Sequence, residues 1–521
     1  MPTRSTTRSL FRRERRLSVQ QVLPVENLRY QGYGGDRERM VTSSHDLRRP
    51  FLRELQQLEL TILRVSSAEP SWLAPHDEAA LRWALSLARI SVVPVTASDG
   101  GEPDLVEIGH ATDGYRQKLH ELLSPCVQGD RVHREALRVQ IPVVRELARD
   151  ERRTLGRLLR NRMPYAALDR ATRKRPLALA LSGGGGTAYV FVGALAVLEE
   201  AGLVPSVITG SSMGAILGAF RARTREFELK NVKSLMTRVT MKRVFRMFET
   251  TSRFGIPATL KLYLREVLGA EFERDGRFMR MSDLEIPFRV CVAGITQGEA
   301  PEELERYAHL LDDAVVDVRR LRRKATQIAR ALSEIAKKPV KPIYIGGDEL
   351  TREFDVLDAI GFSAAVPAVI HYDILRDDPR MVTLVTELMR REGVFRFIDG
   401  GLADNLPARE AWQAIQAGAS GTYDPFVLAL DSFAPNLSRH LLFLPLMQIA
   451  AANTRIGRQV AHVVIRYKNV LSPLSVVPTQ TEFLRAIDNG RRETEPEVAL
   501  IRKIVGPIPD PPGVTVEMDG T

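Results

Sequence analysis

Gly210-Ser211-Ser212-Met213-Gly214 fits the pattern Gly-x-Ser-x-Gly, with Ser212 at its centre. A serine so placed can attack a carbonyl carbon if the chain presents its hydroxyl and a base removes its proton. Given how common Gly and Ser are, such a pentapeptide arises by chance in roughly one chain of this length in five to ten, so its context has to decide. It follows the apolar run Val204 to Thr209 and precedes another, Ala215 to Phe220. Strand, sharp turn and helix is the setting that lifts a serine hydroxyl to a helix N-terminus, where the dipole and free N–H groups favour developing negative charge. The competing explanation is a tight turn of small residues chosen for packing.

Gly183-Gly184-Gly185-Gly186 closes the earlier apolar run Leu177 to Leu181 and opens a predicted helix over about 187–201. Backbone N–H groups there can point at an oxyanion, and glycine lets the chain approach a substrate closely. A dinucleotide site would place an acid after the second strand, where Gly210-Ser211-Ser212 stand instead; a phosphate-binding loop would end in Gly-Lys-Ser/Thr. For the base, Asp399 in Phe397-Ile398-Asp399-Gly400-Gly401 ends a predicted strand, although Asp-Gly is by itself a common turn. A three-part site would add His440 or His462, which follow in the order Ser, Asp, His. Neither lies in a recognisable loop motif, and both also read as ordinary packing or surface histidines.

Together these residues resemble the patatin-like phospholipase family. Leu181-Ser182-Gly183-Gly184-Gly185, with Gly193 and Leu195 in the next helix, is similar to its glycine-rich segment. Gly210 to Gly214 is similar to its nucleophile elbow, and Asp399-Gly400-Gly401 with Asn405 and Pro407 to its aspartate motif. Ala359 to Val369, with Ser363 and Pro367, resembles its alanine- and serine-rich segment. The resemblance spans about residues 176–505. It implies a three-layer α/β fold with a central, mostly parallel sheet and a Ser–Asp dyad without histidine. Ser212 would be the nucleophile and Asp399 the general base, with the N–H groups of Gly183, Gly184, Gly185 and Gly186 as the oxyanion hole. Gly210, Gly214, Gly400 and Gly401 would shape the two motifs. Implied substrates are lipid esters, with no metal and no cofactor. Thr187 and Ala188 depart from the family pattern, which has a basic residue and then glycine.

The elements that must position these residues follow from periodicity. Helical spacing recurs over about 46–67, 77–90, 113–123 and 131–160, giving a helical N-terminal domain and basic linker over 45–175 after a basic tail, expected to be disordered, at 1–44. From Leu177 the pattern becomes strand, turn, helix, twice over, the unit of a parallel sheet with sites at strand C-termini. Further strands are expected at about 288–295, 342–345, 394–398 and 426–430, within a catalytic domain at 176–505; 506–521 reads as a tail. A heptad seam from Leu304 to Ile335 predicts a long helical insert at 300–338, suited to self-association, or to packing on the N-terminal domain. Residues 221–246 hold nine Lys+Arg against two Glu, with apolar residues among them, a pattern that suits an anionic bilayer or a plain cap helix with a solvated face.

Composition narrows the class. The chain has 521 residues, 44% of them hydrophobic, with two cysteines, Cys126 and Cys291, which excludes a disordered chain and a disulfide scaffold. Its net charge of +10 is local: residues 176–521 hold 43 Lys+Arg against 42 Asp+Glu, and the excess sits at 1–16 and 151–175. That argues against nucleic acid as a partner. No apolar run of signal-peptide type follows the N-terminal arginines, so the expectation is a cytoplasmic protein, with peripheral membrane contact. The competing function is a catalytically weak lipid-binding or scaffolding protein that works through the heptad insert.

Overall fold

The computed structural model describes residues 51–95, 103–247, 252–256, 258–296, 340–374, 376–433 and 444–509. The basic tail and the heptad insert with its seam lie outside the described residues, as does His440. The described residues all fall within one compact unit.

Among the described residues five helices precede the α/β part: α1 (Leu52–Ala68), α2 (Pro75–Arg89), α3 (Asp113–Leu123), α4 (Arg134–Leu158) and α5 (Tyr165–Arg173). They close over a core of their own that includes Leu55, Ile62, Trp83, Leu119, Leu137 and Val144. The α/β part follows as β1 (Leu177–Leu181), α6 (Val190–Glu200), β2 (Val207–Ser211), α7 (Met213–Ala222), α8 (Leu229–Arg238), α9 (Met241–Val244), β3 (Phe245–Met247), β4 (Ala258–Leu262), β5 (Phe288–Thr296) and β6 (Val340–Ile345). It continues with α10 (Val356–Ser363), β7 (Ala368–His371), β8 (Val394–Ile398), α11 (Ala408–Gln416), β9 (Phe426–Asp431), α12 (Leu444–Val460), β10 (Val463–Arg466) and α13 (Gln480–Val505). Among the described residues no helix is long and apolar enough to cross a membrane.

The main sheet runs β6-β5-β2-β1-β9-β10, with β8 also paired to β5. It is mostly parallel, and only β6 and β8 run against β5. Both faces of β1 are buried, which its sequence anticipates with Leu and Ala in strict alternation. Leu177, Leu179 and Leu181 join the large core with α6, α7 and α13. Ala178 and Ala180, small enough to admit a helix, meet Trp412 and Ile415 of α11 on the other face. This gives three layers, helix on sheet on helix. Helices α6 and α13 touch backbone to backbone: a Cβ on Gly490 would stand 1.9 Å from the Val190 carbonyl oxygen, and one on Gly193 2.0 Å from that of Ile487.

A buried ionic junction joins the helical block to the sheet. Arg89 of α2 bonds Glu59 of α1 at 2.5 Å and Asp424, just ahead of β9, at 3.0 Å. Arg175, just ahead of β1, reaches Glu59 at 3.4 Å and Asp424 at 3.7 Å. Burial, with the like charge of Arg89, pulls the Arg175 guanidinium down to about 10. Two buried cations thus depend on one buried acid, Glu59, and one partly buried acid, Asp424, and removing Glu59 leaves buried positive charge undercompensated. Glu59→Ala is expected to lower the unfolding free energy by about 3–5 kcal/mol, measured by urea denaturation.

Candidate active site

The parallel pairing of β2 with β5 sets Ser211 opposite Cys291. Strand β8 approaches β5 from the other end, antiparallel, with its last residue Ile398 opposite Ala293. The chain therefore leaves both strands at one place, opposite Val292, and the next residues out are Ser212 and Asp399. Residues far apart in sequence are brought together because a single strand is the template for both.

Ser212 sits at the turn between β2 and α7 with φ 52° and ψ −126°. A serine in this region is strained by about 1–3 kcal/mol, and the surroundings impose the conformation. Its N–H donates to Ser363 Oγ at 2.9 Å, and Ser363 Oγ donates to the Cys291 carbonyl at 2.6 Å. The stretch carrying Ser363 also holds the aspartate turn, since Gly400 N–H donates to the Ser363 carbonyl at 3.1 Å and Asp399 N–H to that of Ala365 at 2.9 Å. Gly400 passes so close to β5 that a Cβ would lie 2.0 Å from the Cys291 oxygen. Helix α10 delivers Ser363 rigidly because its first turn is tied down by charge. Buried Asp358 accepts from Tyr372 at 2.5 Å, from Arg265 at 2.7 Å and from Arg376 at 2.7 and 3.0 Å.

Asp399 is 6% exposed and Ser212 8%. Burial pushes the Asp399 carboxyl up to about 6, against the Ser212 hydroxyl and the Gly401 N–H, which draw it down. The N–H of Gly401 donates to Oδ1 at 2.8 Å, while Oδ2 is buried with no hydrogen-bond partner of ordinary length and angle. Catalytic hydrogen bonds are often long in ligand-free enzymes and tighten with substrate.

The glycine run divides in two. Gly183 N–H donates to the Asn405 carbonyl and Gly186 N–H to that of Pro473, each at 3.0 Å. These two N–H groups are satisfied within the fold, which corrects the four-glycine oxyanion hole expected from the sequence. Those of Gly184 and Gly185 have no acceptor among the described residues, and both glycines line the same cavity as Ser212 and Asp399. Thr187, also in its wall, turns inward: its hydroxyl donates to the Gly184 carbonyl at 2.9 Å and lies 3.2 Å from Ser432 Oγ. Gly210 and Gly214 pack backbone on backbone, as a Cβ on Gly214 would lie 2.4 Å from the Ser182 oxygen.

His462 is not brought to the site. Its Nδ1 accepts the N–H of Val427 at the start of β9, the opposite end of the sheet from Ser212. Burial and the charges of Arg175 and Arg89 hold its pKa well below the usual value.

The cavity measures about 270 Å³ and is almost entirely apolar. Its walls come from segments the motifs do not mark: Val232, Leu235 and Val239 on or just after α8, Phe245 and Leu262 from the small sheet β7-β4-β3, and Val476 and Val477 beyond β10. Only a general apolar character signalled them in the sequence.

A family model described as Patatin-like phospholipase matches residues 179–412, the stretch that carries the glycine run, the elbow and the Asp399 turn. This domain belongs to the patatin-like phospholipase family. No curated protein matches the chain significantly. The patatin-like domain begins within β1 and ends in α11, so it takes in Ser212, Ser363 and Asp399, whereas α12, α13 and the Val476 wall lie beyond it. The family is one of lipid acyl hydrolases.

Within the patatin-like domain, Ser363 supports two buried backbone groups at once. Ser363→Ala is expected to leave the Ser212 N–H and the Cys291 carbonyl short of a partner and to lower stability by about 1–3 kcal/mol, read by urea denaturation.

Proposed function

We propose that the protein is a serine hydrolase of lipid carboxylic esters working through a Ser212–Asp399 dyad. The observation that carries this is a serine in a strained elbow beside a buried carboxyl, at the wall of an apolar cavity. In the first half-reaction Ser212 Oγ attacks the ester carbonyl as Asp399 takes its proton. The tetrahedral oxyanion rests against the N–H groups of Gly184 and Gly185, which have no competing acceptor among the described residues. Collapse expels the alcohol, which recovers the proton from Asp399, and leaves the acyl group on Ser212. Water then attacks the acyl-enzyme, giving its proton to Asp399, and collapse returns that proton to Ser212 as the fatty acid leaves. The apolar cavity holds the acyl chain. A carboxyl raised to about 6 is a better base than an ordinary aspartate and is still ionised at neutral pH.

The competing reading, a lipid-binding protein with a degenerate site, draws on the open Oδ2 of Asp399. A fluorophosphonate probe separates the two. Labelling of the wild type is expected, and its loss in Ser212→Ala; a folded wild type that neither labels nor hydrolyses esters in vesicles supports the competing reading.

The base has its own signature. kcat/KM is expected to rise with pH through an apparent midpoint near 6 as Asp399 loses its proton. Because the folded-state pKa lies above the unfolded one, this group destabilises the fold as pH rises from about 4 to 6, by about 3 kcal/mol once ionised. Asp399→Asn should therefore abolish turnover yet raise thermal stability at pH 8 and not at pH 4. An equal change in stability at both pH values would count against the buried ionised carboxyl.

A further inference from the structure

The cap over the cavity has two unlike faces. Along α8, α9 and the first residue of β3, side chains such as Val232, Leu235, Val244 and Phe245 line the cavity. Residues 229–246 also carry six cations and no acid. All six, Lys230, Lys233, Arg238, Lys242, Arg243 and Arg246, are exposed. Three meet acids from outside the segment: Lys230 lies 3.5 Å from Glu228, Arg238 3.2 Å from Glu271 and Arg246 2.6 Å from Glu266. Arg243 donates to the carbonyls of Arg238 and Glu266. Lys233 and Lys242 have no ion-pair partner among the described residues.

This cationic stretch reaches the mouth of the cavity. Met236 and Val239 line the cavity and are still only half-buried, so the end of α8 belongs to the opening. Two residues on, Met241 is 50% exposed, and Leu474, from another part of the cavity wall, is 61% exposed. Large apolar side chains held in water beside uncompensated cations, at the opening of an apolar cavity, form an amphiphilic surface that calls for an occupant.

We propose that this rim docks on an anionic lipid bilayer, with Lys233 and Lys242 against phosphate-bearing headgroups and Met241 and Leu474 entering the apolar layer beneath. The proposal rests on the reading of the cavity as a lipid-ester site and adds the partner: an acyl chain then passes from bilayer to cavity without crossing water. An acidic protein would match the cations alone and would leave Met241, Leu474 and the open cavity unmatched.

Each cation near an anionic surface is worth roughly fivefold in binding. In the full chain, Lys233→Gln with Lys242→Gln is therefore expected to bind phosphatidylglycerol vesicles about 25-fold more weakly than the wild type. Hydrolysis of an ester dispersed in those vesicles should fall with it, hydrolysis of a soluble short-chain ester should be unchanged, and pure phosphatidylcholine vesicles should bind the wild type weakly. Met241→Gln should weaken vesicle binding without changing its salt dependence. A loss of under threefold in the double variant, or a wild type that does not prefer phosphatidylglycerol, overturns the proposal. If the soluble ester is not hydrolysed by the wild type while vesicle binding falls as expected, the hydrolase reading fails and the docking surface stands.

Discussion

The site depends on the register of one strand. Strand β5 carries β2 on part of its edge and β8 on the rest, and a single residue of β5, Val292, separates the ends of the two pairings. Parallel and antiparallel neighbours therefore run toward each other and stop short, and the gap opposite Val292 is where Ser212 and Asp399 leave the sheet. A one-residue slip of either strand would send its side chain to the other face of the sheet. The Cys291 carbonyl marks the same place: it accepts the Ser363 hydroxyl and is crossed by Gly400 at a distance no side chain would permit.

Such a site is costly to hold. The elbow strains Ser212, and Asp399 is ionised in a buried setting, so the surroundings have to over-determine both. They do this from three directions. A strand buried on both faces, β1, flanks β2; the Asp358 cluster with Arg265, Arg376 and Tyr372 anchors α10; and Asn405 ties the glycine run to the aspartate turn by accepting the Gly183 N–H. The helical block adds to this support through its buried junction of Arg89, Arg175, Glu59 and Asp424, which clamps the starts of β1 and β9 at the far end of the sheet.

The strands were readable from the chain because their residues carry the signal locally. Leu177 to Leu181 alternates and is bounded by glycine, the runs at 288–295, 342–345, 394–398 and 426–430 fall on strands of the main sheet, and the run at 204–209 meets its strand from Val207 onward. The strand, turn, helix repeat gave the parallel direction of β1 and β2, but the direction of the later strands was not readable: an apolar run has the same period whichever way it pairs, so nothing in Val394 to Ile398 marks β8 as antiparallel. The cavity walls were equally silent, since Val232, Phe245, Leu262 and Val476 are unremarkable apolar residues until distant segments are folded against one another.

By itself, the sequence determined which residues could do chemistry here: a serine between a strand and a helix, a glycine run and an Asp-Gly-Gly turn, in an order that points to one family. Their types and neighbours set the local backbone, and local backbone is what a short motif encodes. The tertiary structure decided which of those groups are free to act. Of the four glycines, Gly183 and Gly186 have given their N–H groups to Asn405 and Pro473, carbonyls that arrive from far along the chain, whereas Gly184 and Gly185 line the cavity with no acceptor among the described residues. His462, correctly ordered for a triad, is held at the wrong end of β9. A hydrogen bond satisfies a donor wherever its acceptor comes from, so whether a group remains available is a property of the packed fold.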